Sequence, residues 1–359
     1  MILKVKKSKI NKFGKTKIKI VLSFFFLIIF IKPKIQVMYF ISKNIGDNLN
    51  YFFLKKIISR NIIFVNTREN SNIKSENERK ISKLNEIAKT DFLFIGSIMG
   101  IISNWSYIFE NNKIKSKSII SNWFFKIYDY FHPLIIFGSG FISNITKKES
   151  YIRNIKIISV RGNITLQRLI QNGVKVTKKV ILADPGILIP IIFHINETNM
   201  AQKIYDLCII PHYKDKHNKI IYDKIKINKT FILDINENPY NFIISLSKCK
   251  RVLSSSLHGL IFSDSLGIPN MRMILSNKII GGDYKFKDYY SAYGLNLSKK
   301  YDLRNETISL NQLKEIDSNY LISRDIVIKK QCQLLINFPY KLKREFTYFI
   351  NLCKKSILL

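Results

Sequence analysis

The sequence predicts an α/β protein made of two doubly wound, Rossmann-like domains that face a cleft. Two observations predict this class. Short apolar runs, of the kind that form buried parallel strands, alternate with segments of helical spacing. This alternation occurs twice along the 359 residues, and no long Gly/Ser linker separates the two series. A chain of this length fits two domains of ordinary size.

The order of these segments places the boundaries. Strands are expected at 35–41, 91–95, 134–137, 157–160, 180–182, 207–213, 231–234, 252–253 and 271–275, with helices at 51–59, 163–172 and 238–248. We therefore expect an N-terminal extension over residues 1–34, an N-terminal α/β domain over 35–188, a C-terminal α/β domain over 189–305 and a helical tail over 306–359.

The extension is strongly basic up to Lys19 and then apolar from Ile20 to Ile31, apart from Ser23. A membrane-spanning helix needs about 20 apolar residues, so this run is short. No small-residue cleavage site of a signal peptide follows it. We expect a cytoplasmic protein whose extension contacts the anionic inner face of the cytoplasmic membrane. The alternatives are a disordered tail or a start codon placed too early.

The charge is large, with 59 Lys and Arg against 25 Asp and Glu and a formal net charge of +34. Such a charge would suit nucleic acid. The lysines are spread along the whole chain, however, and no zinc-finger spacing, RNA-binding aromatic motif or helix-turn-helix stands out. We therefore expect no nucleic acid partner and retain an anionic membrane or an anionic substrate.

The cysteines predict little chemistry of their own. Cys208, Cys249, Cys332 and Cys353 form no CxxC pair. We expect free, buried thiols in a reducing compartment and no disulfide framework. The five histidines are dispersed and no cluster of metal ligands is visible, so we expect no metal site.

The stretch from Lys248 to Asn270, KCKRVLSSSLHGLIFSDSLGIPN, has the pattern of a strand, a tight turn and a helix. Serines before an apolar run of helical spacing signal a helix start, and Gly with Pro after it signal a stop. The N–H groups at the start of such a helix attract an anion. His258 would lie in the first turn as a proton donor or acceptor. An ordinary strand–helix unit with a half-buried histidine is the alternative on spacing alone.

Other predicted strand ends carry charged, polar or small residues. Arg161 follows the strand 157–160, where a guanidinium can bind a carboxylate or phosphate bidentately, although a structural ion pair is the alternative. His212 ends a strand and would face either the cleft or the surface. Lys285 lies in a mixed charged and aromatic segment that suits sugar or phosphate binding, or a solvated loop. Gly138 and Ser139 belong to a small-residue turn that would let a ligand approach the backbone. Gly46, Asp47 and Asn50 are residues typical of turns and helix caps.

These motifs resemble, in order along the chain, those of the polysaccharide pyruvyl transferases, and the resemblance covers Ile35 to Tyr290. Its strongest part is SSSLHGLIFSDSLGIPN, and the others are NIGDNLN, FGSGF, VRGNITL, ADPG, IPHY and GGDYKFKDYY. Departures from the family pattern are Ile45 for an aromatic residue, Phe137 for Trp, Asn163 for Pro, Ala183 for Gly, and Ser256 where one relative has Arg.

The resemblance implies a GT-B-like fold and an enzyme that transfers a pyruvyl group as a ketal from phosphoenolpyruvate to a sugar with two free hydroxyls. Phosphoenolpyruvate is a co-substrate, and no cofactor is implied. The acceptor would be a sugar of a surface polysaccharide, such as a capsule or exopolysaccharide of the cell envelope, or of its lipid-linked precursor.

Roles follow from the resemblance and from the chemistry of the side chains. His258 is expected to act as general acid/base, with Asp47 as a weaker second candidate. Donor binding is assigned to Arg161, Ser255, Ser256, Leu257 and Lys285, and the cleft lining to Gly46, Asn50, Gly138, Ser139 and His212.

Two other functions stay open. A GT-B-type glycosyltransferase would hold the diphosphate of a nucleotide sugar with the same serines and Arg161, although no acidic ribose-binding residue follows the central turn. A non-catalytic, basic, membrane-bound scaffold would account for the charge. It would not account for the presence of His258, Arg161 and Asp47 together.

Overall fold

The computed structural model describes residues 35–39, 45–60, 62–66, 91–93, 99, 130–144, 154–176, 179–195, 202–296 and 299–358. The predicted extension over 1–34 lies outside this part, and so do the side chains of residues 45–50. Among the helices described, none has the length and apolar character needed to cross a membrane.

The first sheet contains six described strands, all parallel, in the order β2-β1-β3-β4-β5-β6. Helices α1 (Ile45–Ile57) and α2 (Asn163–Gln171) connect β1 to β2 and β5 to β6. Their fully buried residues include Val37, Leu134, Ile136, Phe137 and Val160, as expected for the short apolar runs of a parallel sheet. They are β1 (Ile35–Tyr39), β2 (Ile62–Asn66), β3 (Phe92–Leu93), β4 (Leu134–Phe137), β5 (Ile155–Val160) and β6 (Ile181–Leu182).

The second sheet contains five described strands, also parallel, in the order β11-β10-β9-β7-β8. Both sheets therefore have the doubly wound strand order, and the predicted fold class is confirmed. The strands are β7 (Leu207–Ile210), β8 (Thr230–Ile232), β9 (Val252–Ser254), β10 (Asn270–Ile274) and β11 (Lys300–Asp302). Before and between them lie α3 (Ile189–Ile192), α4 (Ile220–Lys224), α5 (Pro239–Ser247), α6 (Leu257–Ser265) and α7 (Tyr284–Ser291).

The strand order reverses once in each sheet, between β1 and β3 and between β7 and β9. At such a switch point the loops diverge from the carboxyl ends of the strands and leave a crevice where ligands bind. Helix α1, which contains Gly46 and Asp47, follows β1, and the segments that carry His212 and His258 follow β7 and β9. The fold thus brings the two histidine motifs to one edge of the second sheet.

Differences from the predicted elements have local causes. Helix α1 begins at Ile45 instead of residue 51, because the polar residues before Tyr51 form its first turns. The segment 281–290 contains helix α7, in which Phe286 and Tyr289 are buried at helical spacing together with Lys285 and Asp288. Strands β2 and β11 and the short helices α3 and α4 were not predicted.

The predicted helical tail contains α8 (Leu310–Asn319), α9 (Arg324–Ile336) and α10 (Thr347–Leu358). Ile316 of α8 packs in the core of the second sheet. Helix α9 reaches residues of the N-terminal half: Lys330 Nζ donates to the Leu182 carbonyl and Gln331 Nε2 to the Ile187 carbonyl, each at 2.7 Å. The tail therefore contacts both halves of the molecule.

The prediction of free thiols was wrong, because the four cysteines form the disulfides Cys208–Cys249 and Cys332–Cys353. The first links β7 to the segment before β9, and the second links α9 to α10. The partners are 41 and 21 residues apart in the chain, so only the packing of the elements brings them together. The cysteine pattern therefore no longer supports a reducing compartment.

Candidate active site

The turns after β7 and β9 are fastened to each other by serines. The Ser254 hydroxyl donates to the Ile210 carbonyl at 3.0 Å, and the Ser255 N–H donates to the same carbonyl at 3.1 Å. The Ser255 hydroxyl accepts from the His212 N–H at 2.8 Å. These bonds set the position of the His212 backbone relative to the start of α6. Ser255 is thus a structural link between the two turns in this structure.

Helix α6 begins at the switch point with its amino end uncapped by a side chain. Ser256 occupies the N-cap position, but its hydroxyl makes no capping hydrogen bond and has no partner among the described residues, although it is buried. The N–H groups of the first turn of a helix carry partial positive charge. The amino end of α6 can therefore receive an anion.

Gly259 allows α6 to lie close to the sheet. A Cβ atom at this position would come within 2.3 Å of the Ser254 hydroxyl and 2.9 Å of Ile210 Cγ2. The absence of a side chain at Gly259 thus lets the first turn of α6 rest directly on β7 and β9. This close approach holds Leu257 and His258 at the end of the sheet.

His258 projects from the first turn of α6 and is 7% exposed. Its ring stacks on Phe262 with centroids 5.8 Å apart, and its Nε2 atom has no hydrogen-bond partner among the described residues. Burial, and then the positive charges of Lys285 and Arg161, lower the pKa of His258 to about 3. The imidazole is therefore neutral at physiological pH, with an unsatisfied ring nitrogen inside the protein.

His212 is the second histidine of the site, and it is also 7% exposed. Its Nδ1 atom accepts a hydrogen bond from the Lys214 N–H at 3.3 Å, and its ring packs on Tyr213. Burial, with the charges of Lys285 and Lys214, lowers the pKa of His212 to about 3. The pKa of His258 is in turn influenced by His212. The two neutral imidazoles thus belong to one electrostatic environment.

Lys285 is supplied by α7 and is buried. Its Nζ lies 5.5 Å from the centroid of the Phe286 ring. Among charged groups, Lys285 has the largest effect on the pKa values of both His212 and His258. Its ammonium group is therefore the main positive charge acting on the histidine pair.

Arg161 lies at the end of β5 and is only 1% exposed. Its Nε donates to Asp288 Oδ2 of α7 at 2.8 Å, and its Nη2 donates to the Phe141 carbonyl. The structural ion pair that the sequence left open is therefore present. Arg161 still contributes positive charge to the environment of His258. Its contact with a donor stays a prediction.

Asp288 also caps the amino end of α2. The N-cap residue Gly162 provides no side-chain cap, and the Asp288 carboxylate accepts from the Thr165 N–H at 2.8 Å and the Thr165 hydroxyl at 2.7 Å. Ser291 of α7 accepts from the Asn163 N–H at 2.8 Å. Helix α7 thus caps α2, so the amino end of α2 already carries a carboxylate, whereas that of α6 does not.

Gly138 and Ser139 follow β4 and pack beside the Arg161 segment. The Gly138 N–H donates to the Ser159 carbonyl, and the Ser139 carbonyl accepts from the Arg161 N–H. Gly138 has a φ of 82° and lies against Pro185, so this turn is tightly packed. Gly46, Asp47 and Asn50 lie in α1, and their side chains are outside the described part of the structure.

Two acidic residues near these groups were not predicted from the sequence as site residues. Asp288 is one turn beyond Lys285 on α7, and recognising that segment as a helix would have placed both on one face. Asp184 was seen within ADPG but assigned no role. Its Oδ1 accepts from the Gly186 N–H at 2.9 Å, its Oδ2 has no partner in the described structure, and burial raises its pKa to about 6.

Within the described ranges, no three His, Cys, Asp or Glu residues are grouped to hold a metal ion.

The fold and this site define a doubly wound α/β protein with an anion-receptive helix start beside a pair of neutral histidines. The profile of the polysaccharide pyruvyl transferase family matches residues 44–277. The chain belongs to that family. The matched range includes Arg161, His212 and His258, whereas Lys285 and Asp288 lie beyond it.

A curated relative and two solved structures were also found. Uncharacterized protein L143 of Acanthamoeba polyphaga mimivirus is 28% identical over 335 residues, which are 89% of this chain and 98% of L143. An uncharacterized Klebsiella pneumoniae protein is 16% identical with a TM-score of 0.36, covering 80% of this chain and 97% of that one. The Methanocaldococcus jannaschii UDP-GlcNAc 2-epimerase is 12% identical with a TM-score of 0.35, covering 79% and 98%.

Proposed function

We propose that this protein transfers a pyruvyl group from phosphoenolpyruvate to two hydroxyls of a saccharide and so forms a cyclic ketal. The observation that carries the proposal is the unpartnered, buried Nε2 of His258 in the first turn of α6, whose amino end is open to an anion. Family membership supports a transferase that acts on a saccharide, and the site offers groups that pyruvyl transfer needs.

The donor needs a place for its carboxylate and its phosphate. The first N–H groups of α6 and the Ser256 hydroxyl are hydrogen-bond donors at one place, and Lys285 supplies the nearby positive charge. Ser256 stands where a relative has Arg, so the cation here comes from α7 instead. Leu257, at the start of α6, would pack against the apolar part of the donor.

The proton balance of the reaction defines the work of His258. The two acceptor hydroxyls lose two protons as two bonds form from their oxygens to C2 of the donor. One proton ends on the methylene carbon C3, which becomes a methyl group, and one ends on the phosphate as its C2–O bond breaks. His258 would take a proton from the attacking hydroxyl and deliver it to C3. A bound phosphate and carboxylate would offset the charge of Lys285 and raise the pKa of His258 toward the range this step requires.

Family membership supports a saccharide as the acceptor, and we propose that this saccharide belongs to a surface polysaccharide or to its lipid-linked precursor. We propose a cytoplasmic site of action, in which the basic and apolar residues 1–34 contact an anionic membrane surface. Vesicle sedimentation with and without anionic lipid, on the full chain and on a chain lacking residues 1–34, tests this contact.

Release of phosphate from phosphoenolpyruvate by the full-length protein, with a panel of soluble and lipid-linked sugars, tests the reaction. Acceptor-dependent release should fall about 100- to 10,000-fold in His258→Ala, since general acid/base catalysis contributes about that much. The exposed His217 provides a matched control, and His217→Ala should retain the rate. If phosphoenolpyruvate does not react but a nucleotide sugar transfers its sugar, the glycosyltransferase function replaces this one.

A further inference from the structure

In neutral His212, the structure determines which ring nitrogen carries the hydrogen. The proton transfers proposed for His258 do not involve His212. Its Nδ1 accepts the Lys214 N–H and thereby caps the short helical turn Tyr213–Asp215. A neutral imidazole carries one N–H, so a proton-free Nδ1 places the hydrogen on Nε2. His212 therefore presents a donor and not a base at its outer nitrogen.

The position of His212 is as well fixed as its tautomer. Its backbone N–H is held by Ser255, the residue just before the N-cap of α6, and its ring is packed on Tyr213. No described residue accepts a hydrogen bond from its Nε2. The side chain follows β7, while the open helix start follows β9, and these two strands form the switch point.

A neutral imidazole is well suited to hold an anion without exchanging protons with it. Neutral donors in a site largely shielded from water form strong hydrogen bonds to charged oxygens. An imidazole that is held neutral next to Lys285 does not add a second positive charge that would repel the first. The site would thus combine one cation, the helix N–H groups and one neutral donor.

We propose that His212 binds an anionic oxygen of the donor through its Nε2–H and acts as a neutral hydrogen-bond donor, while His258 alone transfers protons. This inference rests on the proposed pyruvyl transfer for the identity of the donor. Binding of a phosphate or carboxylate beside α6 can be measured without turnover, independently of the proposed reaction.

Two substitutions separate the structural task of His212 from its binding task. In His212→Asn the amide oxygen can replace Nδ1 and accept the Lys214 N–H, but the Nε2–H is lost. In His212→Gln an amide N–H can reach the Nε2 position. We expect both proteins to fold, with the KM for phosphoenolpyruvate raised about 10- to 100-fold in His212→Asn and partly restored in His212→Gln.

The dependence of kcat/KM on pH distinguishes a neutral donor from an acid or base. Its shape should be the same in wild type and His212→Asn, because His212 does not change protonation in the reaction. Loss of one limb of the profile in His212→Asn would overturn the proposal, and so would an unchanged KM. A purely structural role is indicated if His212→Asn is as active as wild type while His212→Ala is not.

Binding of inorganic phosphate and of pyruvate, followed by isothermal calorimetry, shows which anionic group His212 holds. Affinity for one of them should fall in His212→Asn, and no change in either would overturn the proposal. If wild type does not turn over phosphoenolpyruvate but His212→Asn still loses phosphate affinity, the proposed reaction fails while the anion site stands.

Discussion

Arg161 and Asp288 form an ion pair of 2.8 Å in which the side chains are 1% and 0% exposed, and this pair joins the end of β5 to α7. Because α7 also carries Lys285, the pair links the fold of the first sheet to the position of the main cation of the site. The same carboxylate caps α2 through Thr165. One acidic side chain therefore fixes three elements.

Replacing Asp288 by Ala should destabilise the protein strongly. The substitution removes the carboxylate that forms an ion pair with the buried Arg161 guanidinium, which costs about 3–5 kcal/mol of unfolding free energy. The surface pair Arg251–Asp317 is the matched control, and Asp317→Ala should cost less than about 1 kcal/mol. Denaturation in urea measures both. Equal effects would show that burial does not decide the strength of these pairs.

Replacing Lys285 by Met should raise the pKa values of His258 and His212, because the charge of Lys285 lowers both pKa values more than any other charge does. The apolar stem is preserved, so we expect a folded protein that binds phosphoenolpyruvate at least about tenfold more weakly. Lys287 is exposed on the same helix, and Lys287→Met should change neither property. NMR titration of the histidines reads the pKa values directly, and unaltered values in Lys285→Met would contradict the assignment.

The sequence predicted the two-sheet fold because its strands are short and apolar and its turns lie at regular places. Strand β4 has the predicted bounds, and α6 follows its Ser and Gly-Pro signals closely. The sequence did not reveal that Arg161 contacts Asp288, because Asp288 lies 127 residues further along the chain. The disulfides and the uncapped start of α6 were hidden for the same reason, since both depend on which elements pack together.

Replacing Gly138 by Ala should be far more damaging than the same change at Gly173. Both glycines have a positive φ, of 82° and 81°. At Gly138 a Cβ would come within 1.9 Å of Pro185 Cδ, whereas at Gly173 nothing lies within 4 Å. Backbone strain and overpacking together should cost about 2–6 kcal/mol in Gly138→Ala, against about 1–2 kcal/mol of strain in Gly173→Ala. Melting curves of the two variants provide the comparison.

The disulfides should be detectable and should stabilise the fold. Peptide mapping under non-reducing conditions is expected to link Cys208 to Cys249 and Cys332 to Cys353. Loops of 41 and 21 residues give an entropic stabilisation of about 4 and about 3 kcal/mol. Dithiothreitol should therefore lower the Tm of wild type but not of a variant with all four cysteines replaced by serine. Alkylation of four thiols in the native protein would contradict the pairing.

Asp264 should make the protein less stable as the pH rises from 4 to 7. Burial raises the pKa of this carboxyl to about 7, against an ordinary value of 3.8, although hydrogen bonds from Asn270 and Tyr289 oppose the shift. The folded state therefore holds a proton that the unfolded state has lost. The resulting stabilisation is complete below pH 4 and is lost as the pH rises through 7.

Replacing Asp264 by Asn should remove this pH dependence and keep the fold. The amide oxygen can still accept from Asn270, and the amide N–H can donate to the Tyr289 hydroxyl. Urea unfolding at pH 4, 5, 6 and 7 should show wild type losing up to about 4 kcal/mol more than Asp264→Asn over this range. Asp234 is exposed, and although burial would raise its pKa, the interactions of its carboxylate, chiefly the ion pair with Lys216, outweigh that effect and the pKa is lowered. As a control, Asp234→Asn should not flatten the dependence of stability on pH. Parallel profiles for wild type and Asp264→Asn would show that the buried carboxyl is ionised throughout, with its charge balanced by the hydrogen bonds it accepts.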